Sequence, residues 1–591
     1  MATSLQQFYE KRSEECKTEI TQLTARIWKI SGLRLLVFLL VVGGIYWVWD
    51  EWRIALAIGV GGMALFIYLV RITAELSTRK RFFQKKQAIN EAEVKALAGD
   101  VSEFRDGLAY QSGDHAFSHD IDLFGQGSFF QYLNRSALPD GEQKLASWLL
   151  SNDIASIEEK QQVIQELKNE VEWRQNYSAH ASLVKNEVSN ESILSFLKDY
   201  KPFLGSSTVW LTWGFGILSA VVVALAALSV ISGMMVFYWT LIGIGIVGRY
   251  FKSVSKLQNA TTRIKSTFSQ YSQLMEMIEG SSFQSKLLQE QSQRINQGEE
   301  KPSEILYKFS RALDQLDQRN NLLFAFVGNG FFLWDLIQAR RIEKWIAQYG
   351  SLVEHWFDTV ATFDAWHSLA NYAYNHPDFT FPTLSSDELI RLDAEGMGHP
   401  LIHSSVRVDN DLKIDHRNFF IITGANMAGK STFLRTVSLS MVMANSGLPV
   451  CAQKYLYRPI KLITSMRTTD SLQKDESYFF SELKRLKYIV DRMNQDEYFI
   501  VLDEILKGTN SEDKKNGSKK FVEKLVSTGS TGIIATHDLS LCEIADRIEA
   551  VKNYFFEARI ENDELHFDYL IKSGICRNMN ASFLLKKMEI V

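Results

Sequence analysis

Apolar residues gather in this chain in two distinct ways. Two pairs of long apolar stretches stand out: Leu35 to Trp49 with Ile54 to Val70, and Val209 to Ile231 with Met234 to Val247. Their lengths of about 14 to 23 residues bracket the twenty or so that a membrane-spanning helix needs. Only Asp50-Glu51-Trp52-Arg53 separates the first pair and Ser232-Gly233 the second, so each pair predicts a helical hairpin. Four spans are expected, with two as the fallback. Buried core helices are the competing reading, and it suits the second pair, rich in Gly, Ala and Ser, better than the first. Aromatic residues cluster at the ends of the stretches (Tyr46, Trp47, Trp49, Trp52; Trp210, Trp213, Tyr238, Trp239), as an interfacial belt would.

Elsewhere the pattern is helical and polar. Residues 1–30 predict an amphipathic helix, and residues 72–97 a charged continuation of the second span. Helical patterning returns at about 115–200 and 250–375, and the chain holds only eight prolines, which suits long helices. From about 390, shorter apolar runs alternate with helix patterns, as in an α/β domain. The resulting division is 1–30 amphipathic helix, 31–72 first transmembrane hairpin, 73–114 helical linker, and 115–205 first part of a helical core. It continues with 206–249 second hairpin, 250–385 second part of the core and 386–591 nucleotide-binding domain.

The C-terminal alternation carries the chemistry. The apolar run Phe419 to Ile422 leads into Thr423-Gly424-Ala425-Asn426-Met427-Ala428-Gly429-Lys430-Ser431-Thr432, a Gly-x-x-x-x-Gly-Lys-Ser loop followed by a helix pattern. Strand, glycine-rich turn and helix N-terminus in that order form a phosphate cradle, in which Lys430 reaches the terminal phosphates and Ser431 binds Mg²⁺. Further on, Tyr498 to Leu502 predicts a buried strand ending in Asp503-Glu504. Such a strand places Asp503 near the metal and Glu504 where it can polarise an attacking water. The run Thr531 to Thr536 predicts another strand, with His537 at its C-terminal edge, where ligands sit in parallel sheets. From there His537 could sense the γ-phosphate.

Charge and cysteines change this picture little. The formal net charge is −4, so the chain lacks the basic excess of small nucleic-acid-binding domains. Cys16, Cys451, Cys542 and Cys576 are far apart and form no Cys-x-x-Cys pair, which predicts reduced thiols and no cysteine metal site. Local charge bears on orientation instead. Arg71, Arg79, Lys80, Arg81, Lys85 and Lys86 follow the first hairpin, and Lys198, Lys201, Arg249, Lys252 and Lys256 flank the second. By the positive-inside rule both hairpins enter from and return to the cytosol, giving a multi-pass inner-membrane protein with a cytoplasmic nucleotide-binding domain. About thirty mostly polar residues ahead of the first stretch argue against a cleaved signal peptide.

The loop Thr423 to Thr432 resembles the P-loop of the MutS mismatch-repair ATPases, T-G-P-N-M-x-G-K-S-T, with Ala425 in place of proline. Leu502-Asp503-Glu504-Ile505 with Lys507-Gly508-Thr509-Asn510-Ser511 is similar to that family's D-E-I-x-R-G-T-S-T, with Lys507 for arginine. Ala535-Thr536-His537 resembles its A-T-H switch. Asp470-Ser471-Leu472, Ser477-Tyr478-Phe479 and Glu482 resemble its signature, with Asp475 where glycine is usual. Weaker likeness covers Asp122 to Arg135 with Gly141, Phe363-Asp364-Ala365, Gly398-His399-Pro400-Leu401, and Phe567 to Leu570 with Gly574. The resemblance implies an ABC-type, MutS-like α/β P-loop ATPase domain, preceded by a mainly α-helical core that here carries two transmembrane hairpins.

It implies further that the chain works as a homodimer. ATP and Mg²⁺ would be held by Gly424, Ala425, Asn426, Met427, Ala428, Gly429, Lys430, Ser431, Thr432 and Asp503, with Ser477 reaching across from the partner subunit. Glu504, Lys430 and His537 would carry hydrolysis. Double-stranded DNA is the partner that the resemblance implies. No counterpart of the family's mismatch-reading domain, with its Phe-x-Glu wedge, is recognisable, which argues against mismatch recognition itself. The alternative is an ATP-driven membrane machine, for transport or envelope remodelling, that uses no DNA. Against a transporter stand the missing Leu-Ser-Gly-Gly-Gln signature and spans nearly free of polar residues.

Overall fold

A computed structural model describes residues 2–184, 188–295, 300–467, 478–561 and 564–576. Contacts divide the chain into two units: residues 1–94, 137–141 and 171–364, and residues 95–136, 142–170 and 365–591.

The first unit is helical. α1 (Ala2–Trp47) and α2 (Trp52–Leu97) are each 46 residues long, and the turn through Asp50 makes them an antiparallel hairpin. No proline precedes Pro139, so nothing interrupts either helix. Residues 1–30, expected as a separate amphipathic helix, are therefore continuous with the first apolar stretch. In the apolar half, Gly62 lies against Val41 and Gly44 against Ile58. In the polar half, Arg12 of α1 and Lys86 of α2 both pair with Glu172, and Gln175 donates to Asn90 at 2.8 Å. Glu172 and Gln175 belong to α6.

After α2 the chain forms turns and one 3₁₀ turn (Leu108–Tyr110) up to Ser128, where 73–114 had been expected to be helical. Then come α3 (Phe129–Leu133), α4 (Pro139–Leu150), α5 (Ile157–Asn169), α6 (Val171–Ala181) and α7 (Asn190–Asp199). Contacts group most of α4 and all of α5 with the second unit, so the stretch expected as one core part over 115–205 is shared between the two.

α8 (Ser207–Ala227) and α9 (Gly233–Thr261) form the second apolar hairpin, held by Trp239 stacked on Phe215 at 4.8 Å and donating to Ser219 Oγ at 2.7 Å. Next follow α10 (Lys265–Glu279), α11 (Lys286–Ile295), α12 (Pro302–Asp317), α13 (Leu322–Phe332), α14 (Trp334–Tyr349) and α15 (Val353–Asn375). Pro302 sits at the first position of α12, where its missing N–H costs nothing. By length and composition α1, α2, α8 and α9 could each cross a membrane; α13 is a shorter apolar helix that meets the following helices at an 82° bend.

The second unit holds both sheets. One has the order β1 (Thr383–Leu384), β5 (Lys454–Tyr457), β2 (Ile390–Met397), β3 (Asn410–Asp415). The other has the order β10 (Glu564–Ser573), β9 (Val551–Glu561), β4 (Phe419–Gly424), β8 (Thr531–Ala535), β7 (Tyr498–Asp503), β6 (Lys461–Ser465). From β9 to β6 all neighbours are parallel, and β10 closes the edge antiparallel.

Continuous apolar runs make these strands because parallel sheets are covered on both faces. On one face Leu486 and Ile489 of α17 (Tyr478–Met493) and Val522 and Leu525 of α18 (Ser511–Ser527) pack with Ile463, Ile500, Leu502 and Ile534. The alternate residues Phe499, Val501 and Ile533 are equally buried, and α16 (Lys430–Asn445) packs on the same strands.

Candidate functional site

The register of the large sheet decides what meets at its edge. Ile422 of β4 and Asp503 of β7 both pair with Ala535 of β8, so the three strands end together. The residues that follow each strand (the loop after Gly424, Glu504, and Thr536-His537) are thereby delivered to one place.

Gly429 caps α16 in the left-handed region (φ 101) and offers no side chain, which leaves the first N–H groups of the helix open to an anion. Lys430 is 6% exposed, and its ammonium folds back over its own loop to donate to Gly424 O at 2.8 Å and Ala425 O at 2.9 Å. The same nitrogen is 3.3 Å from His537 Nε2. Ser431 Oγ donates to Asp503 Oδ2 at 2.6 Å. Glu504 stands 3.9 Å from His537 Nε2 and within 3.6 and 3.9 Å of the Lys507 and Lys514 ammonium groups.

Burial lowers the pKa of Lys430, with Asp503 and Glu504 opposing. Burial also lowers that of His537, and the Lys430 charge adds to the effect, so the imidazole is neutral at pH 7.

Gly429, Lys430, Ser431, Asp503, Glu504, Lys507 and His537 line a cavity of about 700 Å³, whereas Gly424 and Ala425, expected to hold the nucleotide, do not line it. Asn426, Met427, Ala428 and Thr432 line it too, although the Met427 side chain is three-quarters exposed. His399, Ile402, Val406, Phe556 and Tyr569 also line it. The Tyr569 ring lies against Gly429, where a Cβ would come within 3.1 Å of it. Asn410 of β3 fixes that position: its amide donates to Tyr569 O at 3.0 Å and its carbonyl accepts the Ile571 N–H at 2.7 Å, across the bulge of β10. Tyr569 and Asn410 have no role in the reading of the sequence above; the one signal is the likeness around Phe567 to Leu570.

Two supporting layers surround the cavity. Asp122, in left-handed backbone (φ 52), pairs with Arg435 of α16 and with Arg467 after β6. Asp120 accepts the Thr464 hydroxyl and, at 2.9 Å, the Arg467 N–H. Arg485 of α17 donates to Ala116 O at 2.6 Å and to Thr464 O at 2.9 Å. The segment 116–122 thus ties the P-loop helix to α17. On α17 itself, Glu482 is buried and accepts the Lys507 N–H at 3.0 Å, so it holds the turn after Glu504. Asp470, Ser471, Leu472, Asp475 and Ser477 lie outside the described residues.

Comparison with known proteins places this geometry. MutS domain V matches residues 420–587. The DNA mismatch repair protein MutS of Methanococcoides burtonii is 33% identical over 235 residues, 38% of this chain and 26% of its own length. MutS protein homolog 4 of Homo sapiens is 30% identical over 240 residues, 39% of this chain and 25% of its own. DNA mismatch repair protein MutS of Thermotoga maritima is 30% identical over 223 residues, 37% of this chain and 27% of its own. The alignments thus span about a quarter of each relative, and the likeness rests on the unit that carries the cavity. The likeness to the MutS family is thus carried by the C-terminal part of the chain, where residues 420–587 match its domain V.

Proposed function

We propose that the chain binds and hydrolyses ATP in the cavity beside the P-loop, as a homodimer anchored in the inner membrane, and couples the cycle to double-stranded DNA. One observation carries the nucleotide reading: Lys430, the Ser431–Asp503 pair, Glu504 and His537 converge on one cavity at the C-terminal edge of the sheet. Its size suits a nucleotide. The polyphosphate would lie over the α16 N-terminus and the base against the Ile402, Val406 and Tyr569 wall.

The residues fit Mg²⁺. A hydroxyl and a carboxylate at 2.6 Å are the hard oxygen donors this ion takes beside phosphate and water. Once bound, the ion would neutralise charge developing on the phosphates. Lys430 would turn its ammonium from the loop carbonyls toward the terminal phosphates, and Glu504 would orient and polarise the attacking water. His537, neutral and 3.3 Å from Lys430, would report on the γ-phosphate through that contact. Ser477 of the partner subunit is proposed to complete the site, as in the resemblance.

Membrane anchoring is supported by α1, α2, α8 and α9, each long and apolar enough to span. Coupling to DNA is supported by relatives whose names state DNA mismatch repair. Mismatch recognition itself is not part of the proposal. The test is ATP hydrolysis by the detergent-purified full chain, with Glu504→Gln as control, with and without homoduplex or single-mismatch DNA over a salt series. Stimulation or salt-sensitive retention by duplex is expected, because phosphate contacts release counterions. Hydrolysis indifferent to DNA at low salt would favour the membrane machine without DNA, and no hydrolysis at all would overturn the nucleotide reading.

A further inference from the structure

α13 is the apolar element that the hairpin pattern does not account for. Between Leu322 and Leu333 the single polar side chain is Asn329, and it faces inward. Its carboxamide oxygen accepts the Asp335 N–H at 2.9 Å. Gly328 and Gly330 are buried beside it, and α9 approaches so closely that a Cβ on Gly243 would stand 2.5 Å from Gly330 O. The outward set is wholly apolar: Leu322 is 86% exposed and Leu323 81%, with Phe326, Val327 and Phe332 also open. In water, five large apolar side chains in a row of turns form a costly patch.

The two ends of α13 lie at different depths along α9. Just before α13, Asn320 Oδ1 accepts from Gln258 at 3.2 Å, and Arg319 lies over the Phe251 ring at 5.1 Å. Both partners are beyond Val247, on the side where Arg249, Lys252 and Lys256 stand. The other end, at Gly330, meets Thr240 and Gly243, inside the apolar stretch. Eleven residues rise about 16 Å, half of a hydrocarbon layer of about 30 Å. At Leu333 (φ 52) the chain turns through 82° into α14, where Asp335 pairs with Arg319 at 3.0 Å. The Arg319 side chain, from just before α13, thus reaches Asp335, just past its far end. Asn321 caps the entry end by accepting the Leu323 and Phe324 N–H groups, so few backbone donors are left open there.

We propose that α13 is a membrane-embedded half-helix, seated in the cytosolic leaflet against α8 and α9, with lipid acyl chains covering Leu322, Leu323, Phe326, Val327 and Phe332. The inference rests on α8 and α9 being spans, as proposed above. It adds a third inserted element, continuous through α14 with the helices of the first unit.

The test uses the full chain in phosphatidylcholine–phosphatidylglycerol vesicles, with bimane attached to Phe326→Cys, Leu218→Cys on α8 or Tyr307→Cys on α12. These positions are exposed, whereas the four native cysteines are buried. Exchanging the lipid for its acyl-brominated analogue should quench positions 326 and 218 alike and leave 307 unchanged, and aqueous iodide should quench only 307. If 218 is quenched by bromolipid and 326 by iodide, the half-helix is overturned while the spans stand. Shielding of 326 from both quenchers would mean a protein surface covers it and would equally overturn the proposal. If neither 326 nor 218 responds to bromolipid, the membrane reading fails and the half-helix with it. Val327→Cys repeats the measurement should Phe326→Cys not fold.

Discussion

Glu504 is a residue whose backbone is bent for a purpose that its side chain reveals. It lies at φ 48, an uncommon setting for a non-glycine residue, while its N–H stays bonded to Ala535 O at 2.9 Å. The strand thus ends at Asp503, and the next carboxylate turns into the cavity beside His537. Replacing Glu504 by Gln keeps shape and turn but removes the proposed base. Hydrolysis should fall by about 10²–10⁴-fold with ATP affinity nearly unchanged, read from single-turnover rates and equilibrium binding. Lys430→Ala should instead remove binding itself, since the buried ammonium is the cation beside the loop carbonyls.

His399 gives a pH prediction at the same scale. Burial, then the Arg435 charge, holds its pKa down to about 4 from an ordinary 6.5. As pH falls below 6.5 the unfolded chain takes up a proton that the folded one refuses. The stabilisation is complete above about pH 6.5 and is lost as pH drops through about 4. Its size is at most about 3 kcal/mol. His115, His180, His416 and His537 shift in the same direction, so the effect belongs to His399 only by difference. Nucleotide-free Tm values between pH 7 and 4 should show the gap between His399→Asn and the unaltered protein narrowing toward acid. A gap constant with pH would show that His399 does not titrate this way.

Among the elements, α17 supports the turn behind Glu504. Burial raises the Glu482 pKa, while the backbone N–H groups of Leu506, Lys507 and Gly508 pull it back. Glu482→Ala leaves those donors without their acceptor, a cost of about 1–3 kcal/mol that falls on the turn positioning Glu504. kcat should drop while ATP binding persists, and Glu482→Gln, which keeps an acceptor, should retain most activity. Equal losses in both variants would mean that charge, not the turn, is what matters.

The same elements explain what was legible in the sequence. β4, β7 and β8 were readable because each is buried on both faces, so its apolar run is unbroken, and each leads directly into residues with chemistry. The small sheet was not: the burial of β2 follows no alternation and its pairing shifts register twice, so the strand leaves no clean period. Residues 98–128 lie within the stretches 73–114 and 115–205, both expected to be helical; the contacts made by Asp120 and Asp122 hold the turns found there instead. α13 escaped notice because an apolar helix of eleven residues is too short for a span and ordinary for a buried core helix. Tyr569 reaches the site through a strand bulge, and a bulge has no sequence period at all.

At the scale of the molecule, the proposed membrane anchoring turns on the number of spans. α1 and α2 rise about 70 Å each, more than twice the hydrocarbon thickness, yet only their adjoining halves are apolar. Their polar halves are occupied by Arg12, Lys86 and Asn90 contacts to α6, which requires an aqueous side. α8 and α9 differ in lacking such long extensions at the α8 end, and core packing was their rival reading. Their surface argues otherwise. Trp210, Trp213, Ile217, Leu218, Val221 and Val223 are all exposed on α8, a stripe too large for a helix in water. Replacing Leu35–Val70 by a short Gly-Ser loop therefore separates the cases. With four spans, the shortened protein should stay in the membrane pellet after an alkaline carbonate wash and enter solution only with detergent. With two, it should be released by carbonate alone, and α8 and α9 would then need a protein partner over the same stripe.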